Sequence, residues 1–325
     1  ECQRALGDLE GARASLAAAA AADRSFRTAE LEARLEARPA RPAAAAGRRP
    51  AISAALIVRD EEAMLPGCLA SLAGAVDEVV VVDTGSRDAT REVAARAGAR
   101  VIDAPWKDDF AAARNISLEV ATGDWVLVID ADERLEPGAA ARIRELAARA
   151  DADAALVTVR SITPDREPLA ALSARSIRLF RRLPGVRFSG LVHEQIRPAL
   201  ERLGLAIVDS PIGIEHLGYA QPPAVLRQKH ERNLELLRRE LEQRGGLLVG
   251  LLALHLGMTL EALGQDREAL APLAFAVTPA AGLGHDLLGH AQARLAQAHL
   301  RLGDPDAASR HVREALAIAP EDPYA

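Results

Sequence analysis

Between residues 51 and 220, short apolar runs alternate with segments of helical pattern, and this alternation constrains the fold more than any other feature of the 325-residue chain. The runs are Ile52–Val58, Val79–Val82, Ala99–Ile102 and Trp125–Ile129. A run without polar alternation reads as a strand buried on both faces, and strands linked through helices pair in parallel by right-handed crossovers. The expected fold class is therefore α/β, with a Rossmann-like, mainly parallel sheet. Such sheets bind ligands just beyond the carboxyl ends of their strands, so the chemistry is expected immediately after each run.

The flanks read differently. Leu6-Gly7-Asp8 with Ala12, Leu263-Gly264-Gln265 with Ala269, and Leu302-Gly303-Asp304 with Ala308 each join two helical segments, and each Ala follows its Leu by six residues. A glycine turn followed by a small residue resembles the tetratricopeptide repeat, whose paired helices need small side chains where they cross. In the last copy the expected helices are Ala291–Leu302 and Pro305–Ala317, with Pro320 as the stop. Leu263 and Leu302 lie 39 residues apart, longer than the repeat of about 34, which implies an insertion around Pro279–Gly284. Any array of helical hairpins would also satisfy the pattern. Residues 38–50 are rich in Pro, Ala and Arg without apolar periodicity and read as a linker. The expected organisation is a helical, tetratricopeptide-like fragment at 1–37, the linker, an α/β domain at 51–222 and a helical repeat domain at 223–325.

Composition narrows the function. A net charge of −6 without a basic face argues against nucleic acid as a partner, because phosphate affinity comes from clustered Lys and Arg. Cys2 and Cys68 are too few for a disulfide framework or a thiolate zinc site, which fits a cytoplasmic location. No stretch of about 18 to 20 consecutive apolar residues is present, so no membrane span is expected.

Carboxylates recur after the runs: Arg59-Asp60-Glu61-Glu62 after the first, Asp83-Thr84-Gly85-Ser86-Arg87-Asp88 after the second, and Asp130-Ala131-Asp132-Glu133 after the fourth. Two Asp residues two apart on a strand end can project to one side and share a hard cation with phosphate oxygens. An acidic strand end is costly unless something positive binds there. The ordered set of Ile57-Val58-Arg59-Asp60-Glu61-Glu62, Val81-Val82-Asp83-Thr84-Gly85-Ser86-Arg87-Asp88-Ala89-Thr90, Ala113-Arg114-Asn115 and Ile129-Asp130-Ala131-Asp132-Glu133 resembles the family 2 glycosyltransferases of GT-A fold. The resemblance covers roughly residues 51–220 and departs from the family at Asp60, where close relatives usually carry Asn.

The resemblance implies a donor pocket for a nucleotide-sugar, with UDP expected. Asp83 would hold the nucleobase, the backbone near Val58 and Arg59 would line the same pocket, and Glu62 and Ala131 fall in the donor-binding set. Asp130 would face the ribose and metal, Arg114 would sit near the nucleotide, and Asp132 would ligate Mn2+ or Mg2+ through the diphosphate. Phe188-Ser189-Gly190-Leu191-Val192-His193-Glu194 resembles the glycine loop and acidic pair of these enzymes, which makes Glu194 the candidate base of an inverting transfer. His193-Glu194 is not a zincin motif, because Arg197 stands where the second His is required. Within Ile214-Glu215-His216-Leu217-Gly218-Tyr219, His216 matches the C-terminal histidine that joins the metal, and an imidazole suits manganese better than magnesium. Asp109 either contacts the donor sugar or caps a helix beginning near Phe110.

A nucleotidyltransferase would need a glycine-rich basic loop after the first strand, where this chain is acidic. The alternative from another class is a repeat scaffold whose transferase-like domain binds a sugar-nucleotide or protein partner without turnover. The repeats offer a surface for a protein or peptide acceptor.

Overall fold

A computed structural model of the chain describes residues 48–162, 168–217, 223–244 and 249–318. The helical fragment expected at 1–37, linker residues 38–47, Gly218-Tyr219 and Pro320 lie outside the described residues. The chain divides into two compact units, one of Glu1–Ser189 with Glu194–Tyr219 and one of Gly190–His193 with Ala220–Ala325.

Among the described residues the first unit holds eight strands: β1 (Ile52–Val58), β2 (Glu78–Asp83), β3 (Arg100–Asp103), β4 (Trp125–Val128), β5 (Glu133–Leu135), β6 (Ala154–Ile162), β7 (Pro168–Arg181) and β8 (Ile207–His216). They form one sheet in the order β3-β2-β1-β4-β7-β6-β8-β5. The four runs read from the sequence are β1 to β4, and they pair in parallel with one another. The rest of the sheet is mixed: β7 lies antiparallel to β4 and β6, β8 lies parallel to β6, and β5 lies antiparallel to β8. Helices α1 (Leu65–Ser71), α2 (Thr90–Arg96), α3 (Phe110–Val120), α4 (Ala139–Ala148) and α5 (Arg197–Arg202) complete the unit.

Ile52, Leu56, Trp125, Leu127 and Ile129 are fully buried in the core, as central strands require. Gly123 lets β4 enter beside β1, since a Cβ there would lie 2.7 Å from the Ser53 backbone nitrogen. Register then fixes the functional edge. Val58 pairs with Asp83, Asp83 pairs with Asp103, and Ala55 pairs with Val128, so the segments after β1, β2 and β4 emerge on one side.

The loops after β1 and β2 are bonded to each other. Asp60 has a left-handed backbone, with φ of 54°, its N–H donates to Ser86 Oγ at 3.0 Å, and its Oδ1 accepts the Arg87 N–H at 2.7 Å. Glu62 Oε2 accepts the Ala89 N–H at 2.9 Å, and Asp88 Oδ2 accepts the Glu62 N–H at 3.1 Å. Asp and Asn both tolerate the left-handed region and both carry an acceptor oxygen, so the departure at Asp60 preserves the turn.

The second unit contains α6 (Pro223–Gln243), α7 (Gly250–Ala262), α8 (Asp266–Ala276), α9 (His285–Arg301) and α10 (Pro305–Ile318). Helix α9 begins at His285, earlier than the expected Ala291, because the Pro279–Ala281 turn ends at Gly282 and leaves the residues after it free to continue the helix. Gly257, Ala269 and Ala276 in the first hairpin, and Ala296, Ala308 and Ala315 in the second, are buried at matching offsets. A Cβ on Gly257 would lie 2.5 Å from Leu273 Cγ, so α7 and α8 meet there without room for a side chain. Among the described residues no helix is long and apolar enough to cross a membrane.

Two predictions follow from these contacts. Asp60→Asn should leave the urea midpoint unchanged within about 0.5 kcal/mol, whereas Asp60→Val should cost about 1–2 kcal/mol, since a β-branched residue is strained in the left-handed region. Equal midpoints for the two variants would refute the account of this turn. In the second unit, loss of hydration and then the neighbouring His193 and His290 hold His255 well below its ordinary value, and His230 and His311 are also lowered, chiefly by burial. These side chains bind protons more readily when unfolded, so their contribution is complete above about pH 6.5 and is lost as the pH falls below it. Thermal melting of the full chain should therefore drop between pH 7.5 and pH 5, and His255→Gln should narrow the drop. A melting temperature unaffected by His255→Gln at both pH values would contradict this assignment.

Candidate active site at the strand ends

Asp83 closes β2 and is fully buried, with its Oδ1 accepting the N–H groups of Gly85 at 3.1 Å and Ser86 at 3.0 Å. Its Oδ2 is buried without a hydrogen-bond partner. The Val58 carbonyl, paired across from it, accepts from the Thr84 N–H and hydroxyl at 2.9 and 3.0 Å. A buried carboxylate oxygen left open beside a filled carbonyl is a place for an N–H donor.

The segment after β4 carries the densest charge. Arg114, the fifth residue of α3, is 7% exposed, and Asp109 caps that helix by accepting the Ala112 N–H at 2.8 Å. Arg114 donates from Nη2 to Asp130 Oδ1 at 2.7 Å and from Nε to Glu194 Oε1. Arg178, on β7, reaches Asp130 Oδ2 at 3.3 Å with Nη1 and Glu133 Oε1 at 2.7 Å with Nη2. Glu133 is 1% exposed, and its other oxygen accepts the Asp130 N–H at 2.8 Å. Carboxylates and guanidiniums thus alternate from Glu133 through Arg178, Asp130 and Arg114 to Glu194.

The electrostatics follow that order. Burial disfavours the Asp130 charge, but Arg114 and Arg178 outweigh it and hold the carboxyl below its ordinary value. Burial likewise works against Arg114, yet Asp130 and Glu194 raise it further into the charged range. Glu133 is pushed up, first by burial and then by Asp130 and Asp132, against the pull of Arg178.

Asp132 faces another way. Its Oδ2 lies 3.3 Å from His216 Nε2, and Ser161 Oγ lies 3.4 Å from His216 Nδ1. The pairing of β5 with β8 sets Glu133 opposite His216, so the residue just before Glu133 arrives beside that imidazole. Loss of hydration lowers His216, but the hydrogen bond and charge of Asp132 outweigh it and the net shift is upward. A carboxylate oxygen and an imidazole nitrogen at this spacing are both donors to a divalent cation. Among the described residues no three His, Cys, Asp or Glu side chains converge as a metal cluster, so a cation at the pair would complete its shell with phosphate oxygens and water.

The structure therefore brings Arg114, Asp130 and Glu194 together, joins Asp132 to His216, and sets Val58 beside Asp83. Arg59 stays half-exposed with Nε 3.8 Å from Asp60 Oδ2, Ala131 is buried, and Glu62 is engaged with the neighbouring loop. Asp109 serves as the helix cap. Sequence reasoning missed Arg178 and gave Glu133 no role beyond its place among the strand-end carboxylates. It also missed Arg134, which donates to the carbonyls of Met64 at 2.6 Å, Ala131 at 2.9 Å and Glu133 at 2.7 Å. The available signal was an arginine inside the otherwise apolar Ile177-Arg178-Leu179-Phe180 stretch, since a buried charge demands partners.

Residues 53–197 match the family described as glycosyl transferase family 2, and residues 289–325 match a tetratricopeptide repeat. A TPR repeat-containing protein of Synechococcus elongatus is 38% identical over 198 residues, covering 59% of this chain and 47% of that protein. The SPbeta prophage-derived glycosyltransferase SunS of Bacillus subtilis is 27% identical over 227 residues, covering 68% of this chain and 52% of that protein. The chain spans about half the length of these curated relatives. Among solved structures, S. aureus TarS 1-349 in complex with UDP-GlcNAc overlaps 81% of this chain and 91% of that one, at 16% identity and a TM-score of 0.44. The strand-end carboxylates Asp83, Asp130 and Asp132, together with Glu194, lie within the segment that matches glycosyl transferase family 2.

Proposed function

We propose that the α/β unit is an inverting glycosyltransferase that moves a sugar from a nucleotide diphosphate sugar, with UDP as the nucleotide, to a nucleophilic acceptor. The observation that carries this reading is the Glu194 carboxylate tied by Arg114 to Asp130, next in sequence but one to the Asp132–His216 pair. The open Oδ2 of Asp83 suits the N–H of a pyrimidine base.

In this mechanism Glu194 takes the acceptor proton as attack occurs opposite the leaving diphosphate, through an oxocarbenium-like transition state. Arg114 holds the Glu194 carboxylate in place. Asp132 and His216 would hold Mn2+ or Mg2+, with Ser161 orienting the imidazole from its other ring nitrogen. A bound cation would supply charge neutralisation at the departing diphosphate. The acceptor we propose is a protein or peptide bound by the helical repeats, whose stacked hairpins form extended binding surfaces.

Glu194→Gln should retain UDP binding by calorimetry and lower transfer from UDP-glucose or UDP-N-acetylglucosamine by about 10²- to 10⁴-fold, the usual contribution of a general base. Full transfer by this variant would remove Glu194 from the base role. Asp132→Ala should abolish the part of UDP binding that depends on Mn2+, and a chelator should do the same to the unaltered protein. Chelator-insensitive turnover would overturn the metal assignment.

A further inference from the structure

We infer that Arg178 is a positioning residue for the proposed transfer: by holding Asp130 through the oxygen that Arg114 leaves open, it sets Arg114 and, through Arg114, the Glu194 carboxylate. The inference rests on the reading of Glu194 as the base.

Asp130 is shared, with Oδ1 on Arg114 at 2.7 Å and Oδ2 on Arg178 at 3.3 Å. The other terminal nitrogen of Arg178 is anchored by Glu133 at 2.7 Å, and that carboxylate is 1% exposed. Glu133 in turn receives the Asp130 N–H, so backbone and side chain of Asp130 are held by one connected group. Arg114 Nη1 and Arg178 Nε are buried without hydrogen-bond partners, so the orientation of each guanidinium is set by the carboxylates it touches. The Phe188 ring, with its centroid 5.8 Å from the Arg114 guanidinium carbon, restricts Arg114 further.

Three carboxylates, Asp130, Glu133 and Glu194, share two guanidiniums. Without Arg178, Arg114 is the guanidinium left bonded to Asp130 among the described residues, and the pull on Arg114 shifts away from Glu194. Arg178 uses two nitrogens to reach two different carboxylates, a span that the single ammonium of Lys cannot reproduce. Asp132 and His216 make their contact outside this chain, so donor binding and base placement are separable.

The test is steady-state transfer with UDP-glucose and UDP-N-acetylglucosamine in Mn2+, comparing the unaltered protein, Arg178→Lys, and Arg178→Met combined with Glu133→Gln. The double substitution removes both charges of a buried pair together, so the excess of one carboxylate over the guanidiniums is unchanged, which favours folding. We expect its kcat to fall at least roughly tenfold, with donor KM and UDP affinity within about twofold, and Arg178→Lys to lie between. A kcat equal to that of the unaltered protein, or a loss confined to KM, overturns the inference. If circular dichroism shows the double variant unfolded, Arg178→Lys decides: a reduced kcat at unchanged KM supports the inference, and an unchanged kcat overturns it. An unaltered protein that turns over neither sugar nucleotide contradicts the transferase reading and the inference with it, whereas an active protein matched by its variants contradicts the inference alone.

Discussion

The arrangement at the strand ends depends on one buried guanidinium. Arg114 is almost without solvent contact, so its charge must be compensated within the protein, and Asp130 and Glu194 do so from two different parts of the chain. Because a guanidinium presents its donors in a fixed fork, satisfying both carboxylates also fixes their relative position. The Glu194 segment, 80 residues on in sequence, is thereby tied to the end of the sheet.

This bridge separates two carboxylates that the sequence presents as a pair. Asp130 is committed to Arg114 and Arg178, while Asp132 turns to His216. The division follows from the backbone. Asp130 leaves β4 facing α3 and β7, whereas Asp132 immediately precedes β5, whose antiparallel partner β8 ends in the histidine. One turn thus serves two environments, one rich in arginine and one offering an oxygen and a nitrogen to a cation.

Much of this was legible in the sequence because burial on both faces leaves a plain mark. Strands β1, β2 and β4 appear as largely apolar runs followed directly by the functional loops, whereas β3 is an edge strand with Arg100 and Asp103 exposed. The repeats were legible through Ala269 and Ala308, small because helices cross there. The mixed half of the sheet was not, since β7 and β8 carry polar residues along their length and their pairing directions are set by tertiary contacts rather than by periodicity. Arg178 was hidden for the same reason: in sequence it is one of several arginines on a strand, and only the approach of β7 to β4 gives it Asp130 and Glu133 as partners. Asp109 accepts the Ala112 N–H as the helix cap, one of the two roles its sequence position allows.

The central claim is that Asp130 belongs to the arginines while Asp132 and His216 form the cation pair. A crystal structure with UDP and Mn2+ bound tests it most directly. The account predicts manganese bound by Asp132 and His216, with Arg114 still bridging Asp130 and Glu194. Manganese on Asp130, with Arg114 released from that carboxylate, would contradict it.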